Sequence, residues 1–158
     1  MEERLPLVTI MGPTGVGKTD LAISLSKTVS SQIIGVDSVQ VYKGMDIGSG
    51  KPSKDTLDRY PHKLVSFIDP WKSYSTALFI LDATREINLS DRSNKVPLLV
   101  GGTMLYFRSL LSGISRMPEA NQDIRNEISA QAKKYGWGFL HKELTEVDPE
   151  SGKRIHPN

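Results

Sequence analysis

The chain has no cysteine, so neither a disulfide nor a thiolate metal site can hold it together. Its three histidines, His62, His141 and His156, show no metal-ligand spacing among themselves. Long apolar runs are missing too. The longest, such as residues 96–100, fall far short of the roughly 20 residues a helical bilayer crossing needs. No repeat or low-complexity tract is present. Charge of one sign is scarce: the formal net charge is +2 over 158 residues, which is compatible with a polyanionic partner but argues little for one. The opening residues Met1-Glu2-Glu3-Arg4 carry acids and lead straight into a strand, which is not a secretory signal. The expectation is a cytoplasmic protein without membrane contact. What is present, 38% hydrophobic and 24% charged residues, is the make-up of an ordinary globular chain long enough for a core.

The most informative stretch is Gly12-Pro13-Thr14-Gly15-Val16-Gly17-Lys18-Thr19. It fits the phosphate-loop pattern G-x-x-x-x-G-K-[ST] without a mismatch. Residues 7–11 before it read as a buried strand, and residues 20–26 after it read as the first turns of a helix. Backbone N–H groups in such a loop point at phosphate oxygens, and the helix dipole adds to the attraction. Lys18 supplies a point charge for the outer phosphates. The Thr19 hydroxyl can sit on a phosphate-bridging Mg²⁺. The loop predicts an oligophosphate ligand and leaves open what carries the phosphates.

Strands and helices alternate along the chain. Strands are expected over residues 5–11, 32–36, 62–68 and 96–100, and helices over 18–29, 54–60, 75–89 and 103–111. Ser75 has the chemistry of a helix N-cap. Strands apolar on both faces, alternating with helices, predict an α/β phosphate-loop fold of three layers with a parallel sheet covered on both sides. Composition shifts near Gly113. From Met117 the chain turns polar and helical, over 122–135 and 137–146, with Ile124, Ile128 and Ala132 in a weak stripe. The division expected is a phosphate-loop core, 1–115, and the start of a helical insertion or lid, 116–158. A four-stranded sheet with an unfinished helical appendage is expected to leave apolar edges exposed.

Two further segments carry chemistry. Ligands of open parallel sheets bind at the carboxyl ends of the strands, so Asp37, closing the second strand, is a carboxylate aimed at the site. It could hold Mg²⁺ or its water, accept a proton from a nucleophile, or cap a local turn. Gln40 offers both a donor and an acceptor. At Gly101-Gly102-Thr103 a nucleotide hydrolase would show an acid for the metal, whereas here the strand ends in glycine, which permits close backbone approach to a ligand. Gly48-Ser49-Gly50-Lys51-Pro52 reads as a flexible loop with Lys51 facing an anion. Arg108, Arg116 and Arg125 could reach phosphates but are ordinarily solvated. Trp71 and Trp137 are expected to pack.

Taken together, these segments resemble the tRNA dimethylallyltransferase (tRNA isopentenyltransferase) family. The resemblance rests on the phosphate loop, Asp37-Ser38 with Gln40 and Tyr42, Tyr42-Lys43-Gly44-Met45-Asp46-Ile47-Gly48, Lys51-Pro52, Asp69-Pro70 with Tyr74-Ser75, Pro97 through Tyr106, Val147-Asp148-Pro149 and Arg154-Ile155-His156-Pro157-Asn158. It implies transfer of a dimethylallyl group from dimethylallyl diphosphate to N6 of an adenosine next to the anticodon of tRNA, with release of diphosphate. It further implies that Gly12 through Thr19 hold the diphosphate and its Mg²⁺, that Asp37 accepts the N6 proton, that Lys18 stabilises the leaving group, and that Thr103 helps place the adenosine. Asp37, Ser38, Val39, Gln40, Thr103 and Arg125 are the implied contacts to the anticodon stem-loop. Ser49-Gly50 stands where the family usually has Thr-Ala.

Two other readings stand beside this one: a phosphate-loop small-molecule kinase with Asp37 activating a hydroxyl, and a non-catalytic fragment that binds nucleotide or tRNA. Members of the resembled family run to about twice this length, so a truncated chain is expected. Weak or no turnover is the expected outcome for these 158 residues alone. A prenyl-transfer assay on unmodified tRNA checks it, and a normal rate would refute it.

Overall fold

The computed structural model describes residues 5–113 and 121–157. The N-terminal residues 1–4, the shift to polar sequence at Met117, Arg116 and Asn158 lie outside them. The chain forms two compact units, Met1–Ser115 and Arg116–Asn158.

In the first unit the elements run β1 (Val8–Met11), α1 (Lys18–Thr28), β2 (Ser31–Val36), α2 (Lys54–Arg59), β3 (His62–Lys63), α3 (Thr76–Arg92), β4 (Val96–Gly101) and α4 (Met104–Ser112). All strand pairs are parallel, in the order β1-β4-β2-β3. The alternation of side chains along a strand sorts the apolar residues to two faces. Ile34, Val36 and Leu99 pack with Phe79 and Ala83 of α3 and Tyr106 and Phe107 of α4. Ile33, Leu98 and Val100 pack with Ala22 of α1. Helices therefore cover both faces, as a sheet of uniformly apolar strands requires. Ser75 caps α3 by accepting from Leu78 N–H at 3.2 Å.

Two strands depart from expectation. Residues 7–11 are half-buried or exposed, not buried, because β1 is the edge strand and has a neighbour on one side only. The strand expected over 62–68 stops after His62–Lys63. Leu64 and Ser66 adopt φ of 59° and 52°, a left-handed conformation that ends extended pairing. The chain there passes over Gly35, where Val65 Cγ2 lies 2.8 Å from the place a Cβ would occupy. Pairing resumes only as an isolated bridge between Tyr42 and Ile68.

The second unit holds α5 (Gln122–Tyr135), α6 (Trp137–Val147) and α7 (Pro149–Arg154). Asn121 caps α5 through Asp123 and Ile124 N–H. The helix α7 was not anticipated, although Asp148 as N-cap and Pro149 in the first turn carry a recognised start signal. Thr145 of α6 lies against Gly152 of α7 so closely that no side chain fits there, and the His141 ring N–H at Nε2 reaches the carbonyls of Gly152 (2.9 Å) and Ile155 (2.8 Å). Of the Ile124-Ile128-Ala132 stripe only Ala132 is buried. The tryptophans do not pack as expected: Trp71, in the turn closed by Lys72 N–H on Asp69 O, is 81% exposed, and Trp137, opening α6, is 63% exposed. Among the described residues no helix is long and apolar enough to cross a membrane.

His62 generates a pH test. Its Nδ1 lies 2.6 Å from Tyr60 O, and a carbonyl can only accept, so Nδ1 carries the proton and buried Nε2 has no partner among the described residues. Burial holds the imidazole pKa below its ordinary value, against the smaller opposing effect of the Tyr60 carbonyl. The unfolded chain then binds more protons than the folded one as pH falls through about 6.5, so acidification removes stability over that window. The urea midpoint should fall between about pH 7.5 and about pH 5.5, and fall less in a His62→Asn variant. An equal slope in both proteins would contradict this.

Candidate active site

The phosphate loop joins β1 to α1 and takes its shape from Gly15 and Gly17, with φ of 88° and 83°. A side chain at either would be strained. Gly17 is the N-cap of α1 and supplies no side-chain cap, so the first N–H groups of the helix remain available to an anion. Lys18 Nζ is folded back onto the loop and donates to Pro13 O at 2.6 Å.

Since β4 lies between β1 and β2, the phosphate loop and Asp37 can meet only across the end of β4. There the glycine pair lines the cleft and also admits neighbouring backbone. A Cβ on Gly101 would run into the backbone carbonyl of Val36, and a Cβ on Gly102 would lie 3.3 Å from Gly12 O. The expected close approach is real, but its partners are the ends of β2 and β1. The result is a cleft of about 300 Å³ lined by Thr14, Gly15, Gly17, Lys18, Thr19, Asp20, Asp37, Gln40, Gly50, Val100, Gly101 and Gly102.

Asp37 uses one oxygen locally. Its Oδ1 accepts from Val39 N–H at 2.8 Å and Gln40 N–H at 3.1 Å, an Asx turn. Oδ2 has no partner among the described residues, so the turn bonds leave one carboxylate oxygen uncommitted. Thr103 heads α4 but does not cap it. Its hydroxyl accepts from Ser38 N–H at 3.0 Å, while its own N–H reaches Val36 O at 3.2 Å. Thr103 thereby ties the end of β4 to the Asp37 turn. Tyr106, one turn further along α4, is buried and stacks on Phe79 at 4.3 Å. Burial, then the proximity of Tyr42 and of Asp37, raises its phenol pKa above the ordinary value, keeping it a neutral donor close to the carboxylate.

The segment read as a flexible loop is anchored. Gln40 Nε2 donates to Ser49 O at 3.1 Å, and Gly50, with φ of 64°, brings its backbone against Thr14 of the phosphate loop. Lys51 does face an anion, but an internal one: its buried ammonium bonds Asp46 Oδ1 and Tyr42 O, each at 2.7 Å. Gly12, Pro13, Val16, Ser38, Val39 and Thr103 do not line the cleft; Ser38 and Val39 are exposed beside it in sequence. Arg108 is an exposed residue of α4, and Arg125 an exposed residue of α5 in the second unit. Sequence reasoning gave no role to Gly50 or Tyr106. Gly50 reaches the cleft through a long-range loop with no local signal. Tyr106 follows Thr103 by three residues, one helical turn, and that spacing was readable.

Comparison with known proteins finds relatives along nearly the whole chain. The family model described as IPP transferase matches residues 40–158, and that described as isopentenyl transferase matches residues 5–62. The chain is 49% identical over 153 residues to tRNA dimethylallyltransferase 2 of Hahella chejuensis, covering 97% of this chain and 46% of that relative. It thus spans about half the length of the curated relative. Among solved structures it is similar to the full-length tRNA isopentenylpyrophosphate transferase of Bacillus halodurans, at 40% identity and a TM-score of 0.67, over 96% of this chain and 50% of that one. A eukaryotic dimethylallyltransferase acting on tRNA matches at 26% identity and a TM-score of 0.80, over 96% and 38% of the two chains.

The glycine pair yields a direct test. Gly101→Ala should lower stability by about 1–3 kcal/mol or more, because backbone of a central strand must move to admit the methyl. Urea unfolding monitors it, and an unchanged midpoint would contradict the contact.

Proposed function

Because this chain belongs to the tRNA isopentenyltransferase (IPP transferase) family, we propose that its cleft binds the diphosphate of dimethylallyl diphosphate and passes the dimethylallyl group to N6 of an adenosine beside the tRNA anticodon. One observation carries the reading. Asp37 shares a cleft with Lys18, Thr19 and the loop glycines, while β4 ends in glycine instead of the acid a nucleotide hydrolase places there. Residues 1–115 then form the phosphate-loop core and 116–158 the start of a helical insertion.

In the reaction the allylic C–O bond breaks, its electron pair leaves with the diphosphate, and N6 forms the new C–N bond. Thr14, Gly15 and Gly17 would wrap the leaving group, with Gly12, Pro13 and Val16 completing the loop outside the cleft lining, and N–H groups of the loop and of α1 aimed at oxygens where charge develops. Lys18 exchanges its bond to Pro13 O for those oxygens. Asp37 takes the N6 proton on Oδ2, because Oδ1 is committed to the turn. The Thr103 hydroxyl accepts from Ser38 N–H and donates toward Ser38 Oγ at 3.5 Å, so it would help place the adenosine by holding the Asp37 turn. Ser38, Val39, Gln40 and Arg125 would touch the RNA, whose target base must leave its stack to reach the cleft.

The donor set fits Mg²⁺. Among the described residues no three acids or histidines gather to hold an ion alone, so Thr19 and the diphosphate oxygens would supply the coordination. Bound there, Mg²⁺ would lend Lewis-acid charge to the leaving oxygens.

Asp37→Asn preserves the turn, since an amide oxygen also accepts, and removes the base. Transfer of labelled dimethylallyl to unmodified tRNA, measured in single turnover with protein in excess, should fall by about 100-fold or more. Calorimetric affinity for Mg²⁺-diphosphate should stay within about twofold. Phosphorylation of a small acceptor from ATP, without prenyl transfer, would overturn the reading in favour of a kinase.

A further inference from the structure

Lys51 is a lysine with a 2% exposed side chain outside the phosphate loop, and nothing in the proposed chemistry uses it. Its ammonium joins the two ends of the segment from Tyr42 to Lys51: it donates to Tyr42 O and to Asp46 Oδ1. The Tyr42 end is already fixed to the segment after β3, by Lys43 N–H on Ile68 O at 2.8 Å and by the isolated Tyr42–Ile68 bridge. The other end carries Ser49 and Gly50 to the cleft. Between them Met45, Asp46 and Ile47 are exposed and contribute no core packing that would hold the segment in place.

What that second end does at the cleft is specific. Ser49 O is a carbonyl and can only accept, so the Gln40 group beside it is the NH₂ and not the oxygen. The amide orientation of Gln40 is therefore fixed, and Oε1 has a set place beside an NH₂ that keeps one further N–H. Held this way round, Gln40 offers Oε1 at a fixed place in the cleft lining, where it suits a donor such as an N–H on a base. Without Ser49 O the amide would be free to rotate and offer either group.

We propose that Lys51 is a positioning residue for the acceptor side of this cleft: by closing the 42–51 segment it sets Ser49 O, which locks Gln40 as a hydrogen-bond acceptor toward the nucleobase. The inference rests on the prenyl-transfer reading for the identity of that base, but not for the lock itself. Lys51 touches neither the diphosphate loop nor the reacting atoms, and the segment it closes meets that loop only where Gly50 faces the Thr14 methyl, so its loss falls mainly on the acceptor side.

The test uses Lys51→Met in the full chain. In a ¹⁵N-labelled sample, the Gln40 side-chain NH₂ pair, identified by its disappearance in Gln40→Ala, should be displaced and protected from solvent exchange in the parent and collapse to the free-amide position in Lys51→Met. The KM for an anticodon stem-loop RNA should rise about tenfold, the order of one lost hydrogen bond to substrate, with affinity for Mg²⁺-diphosphate within about twofold. A Gln40 signal unchanged by Lys51→Met would overturn the proposal. So would equal weakening of RNA and diphosphate, the mark of a general structural defect, or an unchanged KM beside a collapsed signal. Should the parent chain bind neither Mg²⁺-diphosphate nor the stem-loop RNA, the functional reading falls, and the Gln40 signal still decides whether Lys51 sets the lock.

Discussion

The site depends on one steric constraint, the lack of side chains at the end of β4. This strand separates the strand that feeds the phosphate loop from the strand that delivers Asp37. Bringing the outer two to a common cleft requires backbone to press on backbone across it, at Gly101 against Val36 and at Gly102 against Gly12. Any Cβ at Gly101 forces the sheet ends apart. The glycine pair therefore sets the distance between an anion cradle and a carboxylate, and the rest of the cleft is arranged around that distance.

Most of what refines the arrangement is also backbone. The Thr103 hydroxyl holds Ser38 N–H, Asp37 holds the N–H groups of Val39 and Gln40, and Gln40 in turn holds Ser49 O. These bonds run from β4 through the turn after β2 to the segment that returns at Lys51. Each satisfies a main-chain group that a loop near a binding site would otherwise leave to water. A set of mutually bonded turns is stiffer than the same residues as independent loops, which is what preorganised electrostatics at a reacting centre requires.

Much of this was legible in the sequence, because it rests on local rules. The phosphate loop announces itself by spacing, the parallel sheet by uniformly apolar strands, and the cap at Ser75 by chemistry. What was not legible depends on contacts distant in sequence. The third strand is apolar enough to extend from His62 to Ile68, yet it stops where the chain must clear Gly35. Lys51 looked like a ligand for an external anion, since no local pattern reveals that Asp46 and the Tyr42 carbonyl already claim it. Gly101-Gly102 reads from sequence as room for a ligand, and strand order, unknowable from one strand's composition, makes it room for neighbouring backbone as well. The short helix α7 is the exception: Asp148-Pro149 stated it locally, and the signal went unused.

The Asx turn at Asp37 has a bearing on which amino acid can occupy that position. Gripping the N–H groups two and three residues ahead with one oxygen while turning the other toward the cleft is a matter of reach, and it suits a carboxyl one methylene from the backbone. A glutamate carries the same charge on a longer, more mobile stem and would trade one task for the other. Carboxylate function at this place is thus tied to side-chain length as firmly as to acidity, and a homologous acid is no conservative replacement.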